Sequence, residues 1–307
     1  VPDQNLRNTD VFLKAPLPEN GPQTISSLVE VDLAGHSDPG KLRANNEDTF
    51  FIARFDRNMR ALQSNLPGGS YPEFCSESSY GMLVADGMGG HAAGEQASRT
   101  AILVLLDLVL RTPDWIMRLD DDLVAEVRRR IEQRLQQVQG TLAEQARSDP
   151  NLRGMGTTLT LAWSLGADLI VAHVGDSRAY LMRQGELRQL THDQTFAQAM
   201  VEAGTLTAEQ AAHHRLRHLL TGVLTTSKNP MPVEFHRVTL EDGDQVLLCS
   251  DGLTEMAPPS AIADVLRQSG SAADTCRDLV ALALDAGGKD NVTAIVARYR
   301  FPGTTFR

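Results

Sequence analysis

The chain of 307 residues has only three cysteines, Cys75, Cys249 and Cys276. So few, and an odd number, give no disulfide framework and fit a reducing compartment. No two are spaced as a zinc-ligand pair, and none is followed six positions later by Arg, so a phosphate-binding loop built on a thiolate is missing. Cys249 lies in the apolar run 246–249 and reads as a core residue. Basic charge is also short, with 29 Lys and Arg against 39 Asp and Glu and a formal net charge of −10. That balance argues against a nucleic-acid backbone as partner and is compatible with binding hard cations. The longest apolar run, 101–110, is broken by Asp107 and falls short of the ~20 residues that cross a bilayer. No signal peptide, internal repeat or heptad run is visible. A cytoplasmic monomer with no membrane or nucleic-acid partner is the expectation.

Hydrophobic residues make up 42% of the chain and charged residues 22%, enough for one large core in one domain. Residues 1–27 are polar and proline-bearing and read as a loose lead-in, 28–301 as a single domain, and 302–307 as a tail. Alternation predicts strands at 29–33 and 49–53, and a short apolar strand at 81–85. The Gly-, Pro- and Ser-rich stretch 56–80 reads as a loop. Two helices follow, at 94–110 and 124–142, the second with apolar residues at spacings of three and four. Strands are then predicted at 157–163, 169–174 and 179–183. Gln184-Gly185 and Asp242-Gly243 suit tight hairpins. Residues 194–232 break the strand pattern, with Thr207 and Gln210 spaced as a capping box. Strands at 233–239 and 245–249, helices at 259–268 and 272–286, and a strand at 292–299 complete the chain. The pattern is α+β, with sheets covered by helix layers.

Acidic residues recur at the ends of these strands. Glu47-Asp48 precedes the strand at 49–53, Asp86-Gly87 follows that at 81–85, Asp251-Gly252 follows that at 245–249, and Asp290 precedes the last. A single Asp-Gly pair is most simply a turn, and Asp242-Gly243 is read as one. Four acidic positions converging on one rim would repel one another unless a cation is shared. Oxygen-only clusters suit Mg²⁺ or Mn²⁺. Asp86-Gly87-Met88-Gly89-Gly90 stands out, because three glycines in five residues allow close backbone approach, and the Gly87 carbonyl could itself be a ligand. Arg43, four residues before Glu47, could clamp a phosphate with two parallel hydrogen bonds. His213, His214 and His218 read as a solvated helix, with His214 and His218 on one face offering a zinc pair as the alternative.

In this order the chain resembles the metal-dependent protein phosphatase family, type 2C. The matching segments are Arg43-Ala44-Asn45-Asn46-Glu47-Asp48, Val84-Ala85-Asp86-Gly87-Met88-Gly89-Gly90-His91 with Gly94-Glu95, and Gly156-Thr157-Thr158. They continue with Val174-Gly175-Asp176-Ser177-Arg178, Cys249-Ser250-Asp251-Gly252-Leu253 and Lys289-Asp290-Asn291-Val292-Thr293. Any one is weak, but six in order is a strong signal. Met88 is similar to bacterial members.

The resemblance implies a four-layer α-β-β-α sandwich of two antiparallel sheets flanked by helix pairs, with a small helical flap at 194–232. It implies hydrolysis of phosphoserine and phosphothreonine in proteins, by attack of a water bridging two Mn²⁺ or Mg²⁺ ions, with kinase-phosphorylated proteins as partners. Asp86 would bridge the ions, Asp251 and Asp290 would complete one, and the Gly87 carbonyl and Glu47 would serve the other. Asp48 would support the ligands from behind, and Arg43 would hold the substrate phosphate. The Gly175–Arg178 turn reads as structural support. Two departures stand out. Met88 replaces a His proposed as general acid in eukaryotic relatives, leaving His36 and His91 as the nearest candidates. Asn151 to Met155 holds no carboxylate, so a third ion is doubtful, the nearest acid being Asp149. A non-catalytic phosphoprotein binder and a small-molecule phosphohydrolase remain the alternatives.

Overall fold

Two antiparallel sheets organise the computed structural model, which describes residues 29–63, 74–89, 92–111, 121–227, 231–268 and 270–302. The first sheet runs, in spatial order, β1 (Glu30–Asp38), β12 (Val292–Arg300), β11 (Gln245–Cys249), β7 (Arg178–Arg183) and β8 (Glu186–Gln189). The second runs β10 (Glu234–Thr239), β6 (Asp168–Val174), β5 (Leu159–Leu165), β3 (Phe74–Met88), β4 (Gly156–Thr157) and β9 (Leu224–Thr225), with β2 (Asp48–Arg60) also paired to β3.

Side-chain alternation along the strands assigns each face its own core. Met82, Val84, Ala162, Leu169 and Val171 of the second sheet meet Leu181, Val246, Leu248, Ile295 and Tyr299 of the first. The outer face of the first sheet, with Tyr180, Leu247, Cys249, Ala294 and Val296, packs on α6 (Pro259–Arg267) and α7 (Ala272–Asp285). The outer face of the second, with Leu83, Ala85 and Leu159, packs on α1 (Ala92–Arg111) and α2 (Asp121–Ser148). Strands covered on both sides carry near-continuous apolar runs, and β6 is buried at every position after Asp168. Four layers result, α-β-β-α, as the resemblance implies.

Several boundaries differ from the sequence reading. The stretch 56–80 is not all loop, because β2 runs on to Arg60 and β3 begins at Phe74, paired residue for residue. Polar residues fill this long hairpin even at buried positions such as Glu77, Ser78 and Ser79, which hides its strand character. Gln184-Gly185 does close the β7–β8 hairpin, with both residues at positive φ, 52° and 82°. Asp242-Gly243 does not close one. Gly243 has φ 85°, but β10 belongs to one sheet and β11 to the other, so the turn is a crossover. The lead-in at 1–27 and tail residues 303–307 lie outside the described residues.

The flap segment leaves the first sheet after β8, joins the second through β9 paired with β4, and returns to it at β10. It contains α3 (Phe196–Glu202), capped by the Thr195 hydroxyl, then α4 (Ala208–Ala212), opened by the predicted Thr207–Gln210 capping box, and β9. Among the described residues no helix is long and apolar enough to cross a membrane. Leu248 is fully buried between the sheets. Leu248→Ala should therefore lower unfolding free energy by about 2–5 kcal/mol, read from the urea midpoint at unchanged m-value.

Candidate metal centre

The predicted acids are delivered to the same rim by the ends of four strands. Asp48 opens β2 directly opposite Asp86 on β3. Glu47 is fixed beside them by its backbone, since its amide donates to Asn291 Oδ1 at 2.8 Å and its carbonyl accepts from Gly87 N at 3.1 Å and Ser98 Oγ at 2.7 Å. Asp251 begins the short helix α5 (Asp251–Thr254) after β11, and Asp290 lies just before β12. Glu47 and Asp86 thus come from the second sheet, Asp251 and Asp290 from the first. All four line one cleft of about 300 Å³, with Arg43, Gly87, Met88, Thr158, Asn291 and flap residue Leu220.

The backbone around the acids is tied down from several directions. Thr158 donates its amide to the Asp86 carbonyl at 2.9 Å and accepts the Asp86 amide on Oγ1 at 3.0 Å. Asn291 Nδ2 donates to the carbonyls of Pro39 and Asn45, both at 2.9 Å. The glycines after the acids are sterically required. A Cβ on Gly87 would stand 2.1 Å from the Gly94 carbonyl oxygen, and one on Gly252 would stand 1.9 Å from that of Asn291. Gly94 in turn leaves room for the Glu47 carboxylate, which a Cβ there would meet at 2.1 Å.

Asp48 is fully withdrawn from solvent and works across the sheets. Its Oδ2 accepts from Ser250 Oγ and Thr293 Oγ1, both at 2.7 Å and both from the opposite sheet. Its Oδ1 is buried with no hydrogen-bond partner. That orphan atom, amid carboxylates, fits a site designed around positive charge. Arg43 stands at the exposed rim and donates to Asp290 Oδ2 at 2.5 Å.

The electrostatics report the crowding. Burial, followed by the charges of Asp48, Asp251 and Asp176, pushes the Asp86 carboxyl well above its ordinary range. Burial and the charges of Asp176 and Glu255 do the same to Asp251. Burial raises Asp48 to about 6, although Thr293 and Ser250 pull the other way. Oxygen donors with no Cys or His among them match hard divalent cations, which Glu47, Asp86, the Gly87 carbonyl, Asp251 and Asp290 could hold.

Two acids escaped the sequence reading. Asp176, set aside as part of a supporting turn, adds its charge to both Asp86 and Asp251, and burial beside Asp193 raises it to about 7. It follows a glycine at a strand end, the same signal that singled out the other acids. Glu255 lies one helical turn beyond Asp251 and pairs with His218 of the flap, Nδ1 to Oε1 at 2.7 Å. His214 and His218 do not share a helix face, because α4 ends at Ala212; His214 Nδ1 instead accepts the Leu216 amide. His36 sits in β1 opposite Ala294 and does not line the cleft, while His91 lies outside the described residues. Asp149 is occupied in capping a 3₁₀ turn, accepting the Asn151 amide at 2.9 Å. Met88, 40% exposed, forms part of the cleft wall.

The sequence profile of the family described as protein phosphatase 2C matches residues 65–286. The chain belongs to this family. Among curated protein phosphatase 2C relatives, the serine/threonine protein phosphatase PstP of Mycobacterium tuberculosis is 36% identical over 265 residues, covering 86% of this chain and 44% of PstP. The chain therefore spans under half the length of that relative. Protein phosphatase PhpP of Streptococcus pneumoniae is 35% identical over 259 residues, covering 84% of this chain and 93% of PhpP. The crystal structure of the PstP catalytic domain in complex with two manganese ions superposes with a TM-score of 0.68 at 34% identity, covering 89% of this chain and 99% of that one.

Two outcomes follow for this protein phosphatase 2C rim. Asp48→Ala removes the shared acceptor of two buried hydroxyls and should cost about 1–3 kcal/mol of stability, measured by thermal melting in chelator. Chelation itself should lower Tm more at pH 7.5 than at pH 5. Carboxyls whose folded pKa is raised bind more protons folded than unfolded, so their contribution falls as pH climbs from about 4 towards 7. Cations restore it only where the acids are ionised. An equal chelator effect at both pH values contradicts this assignment.

Proposed function

We propose that the chain is a metal-dependent protein phosphatase acting on phosphoserine and phosphothreonine in proteins, the substrates of Ser/Thr kinases. The observation that carries this reading is the set Glu47, Asp86, Asp251 and Asp290, brought from two sheets to one cleft with Arg43 at its mouth. Two Mn²⁺ or Mg²⁺ ions, when bound there, supply activation of water and neutralisation of phosphoryl charge. Asp86 would be the ligand shared by both ions, Asp251 and Asp290 would serve one, and Glu47 and the Gly87 carbonyl would serve the other.

The chain's own groups do the rest. Arg43 exchanges its pairing with Asp290 for the substrate phosphate, which a guanidinium grips through two parallel hydrogen bonds. Asp48 keeps the two sheets in register under the ligands through Ser250 and Thr293. Met88 and Leu220 give the cleft apolar walls against the residues that flank the phosphate. No histidine lines the cleft among the described residues, so the leaving oxygen takes its proton from solvent. The free, buried Cys249 and Cys276 support action in a reducing compartment, the cytoplasm.

Release of phosphate from a phosphothreonine peptide with Mn²⁺ tests the proposal. Wild type should turn over and Asp86→Ala should not. Arg43→Ala should lose about 10²-fold in kcat/KM, the scale of one lost charge-stabilising donor. Full activity in Asp86→Ala, or no turnover by wild type with either ion, rejects the enzyme reading. Faster turnover of small phosphate esters than of peptide redirects it to metabolites.

A further inference from the structure

A second cluster of ligating groups lies outside the cleft, where the two stems of the flap meet. His192 precedes the flap, and Glu234 and His236 follow it on β10. Being two residues apart on a strand, Glu234 and His236 face the same way. Their strand is the edge of its sheet; Glu234 and His236 are half-buried there, and exposed His192 gives the cluster its access to solvent. His192 Nδ1 and His236 Nε2 both lie 2.6 Å from Glu234 Oε1. One donor atom from each residue falls within 4.8 Å of the other two, and the imidazole rings stand 6.4 Å apart at 40°.

We propose that His192, Glu234 and His236 form a binding site for a zinc-class transition metal that clasps the two stems of the flap. Two imidazole nitrogens and one carboxylate oxygen are a ligand set that selects Zn²⁺ over the hard cations suited to the carboxylate cleft. Three protein ligands leave a fourth position for water. The carboxylate is already oriented for the task. Its Oε2 accepts the His192 backbone amide at 2.9 Å, a bond that stays in place when Oε1 turns to an ion, as the outer partners of metal ligands do. Around a tetrahedral ion with bonds of ~2.0–2.1 Å the donor atoms would separate to about 3.3 Å. Exposed His192 can swing by that much, with its side chain 70% accessible.

The clasp connects to the catalytic rim through the next residues. Asp193 grips Arg178 with two hydrogen bonds of 2.7 and 2.6 Å. Gln194 holds Gly175 from both directions, donating its amide to the Gly175 carbonyl at 2.7 Å and accepting the Gly175 amide on Oε1 at 3.1 Å. Gln194 Nε2 also donates to the Pro232 carbonyl in the returning stem at 3.1 Å. An ion on the triad fixes this junction, and with it the turn that carries Asp176 and the place from which the flap swings.

The test is zinc binding by the purified chain with Mg²⁺ in excess. Wild type should retain one more equivalent of Zn²⁺ than the His192→Ala/His236→Ala double variant, and Co²⁺ in its place should give visible bands of imidazole ligation that the double variant lacks. Glu234→Gln, which keeps side-chain shape and amide contact, guards against misfolding of the double variant. It should weaken this extra site by more than about 100-fold, beyond what losing an outer partner costs. Zinc should slow hydrogen exchange across 194–232 in wild type alone. Equal zinc stoichiometry in wild type and both variants overturns the site. A bound ion that leaves exchange in the flap unchanged overturns the clasp. Neither readout depends on phosphatase turnover.

Discussion

Repulsion between carboxylates at the sandwich rim is the constraint around which the structure is arranged. Two of the acids belong to each sheet, so the repulsion acts across the inter-sheet seam and pushes the sheets apart at their mouth. In water such charges would be hydrated and nearly independent; at a half-buried rim they are neither. Burial, with this repulsion added to it, raises the proton affinity of Asp86 and Asp251. A fold that keeps this arrangement needs cations to relieve it, and needs neutral polar groups to hold the seam until they arrive.

The seam is held by side chains without charge. Ser250 and Thr293 reach from one sheet to Asp48 of the other. Asn291 reaches to Glu47, Asn45 and Pro39. Amides and hydroxyls suit this position because they add hydrogen bonds without adding to or cancelling the field that draws in cations. Arg43 is the described cation nearest the cleft, and its salt bridge to Asp290 at an exposed rim is a weak one, easily exchanged for a phosphate.

The fold was legible where periodicity and length agree. The helix pairs, the last strand and the Thr207 capping box could be read from the chain because local propensity and tertiary position demand the same thing there. The hairpin of β2 and β3 was hidden because its buried positions there, Glu77, Ser78 and Ser79, are polar and write no hydrophobic alternation into the chain. Asp242-Gly243 misled because a turn residue records the backbone angle and not the sheet to which the next strand belongs. The acids of the rim were legible as a set, since each sits near a strand end and Asp86 and Asp251 also precede a glycine. Asp176, beside Gly175 after β6, obeys the same rule, although its turn reads as structural support. Glu255 and the His192 triad could not be found this way, because their partners are distant in sequence and meet only through the path of the flap.

That path has a mechanical meaning. The flap starts from the edge strand of one sheet and ends on the edge strand of the other, so its two ends are anchored to different sheets. A slide of one sheet on the other would shift these anchors relative to each other, with Leu220 of the cleft wall between them. Flap posture thereby becomes a gauge of sheet alignment. Substitutions in the inter-sheet core, far from any carboxylate, then have a route to substrate preference that involves no change in the cleft itself.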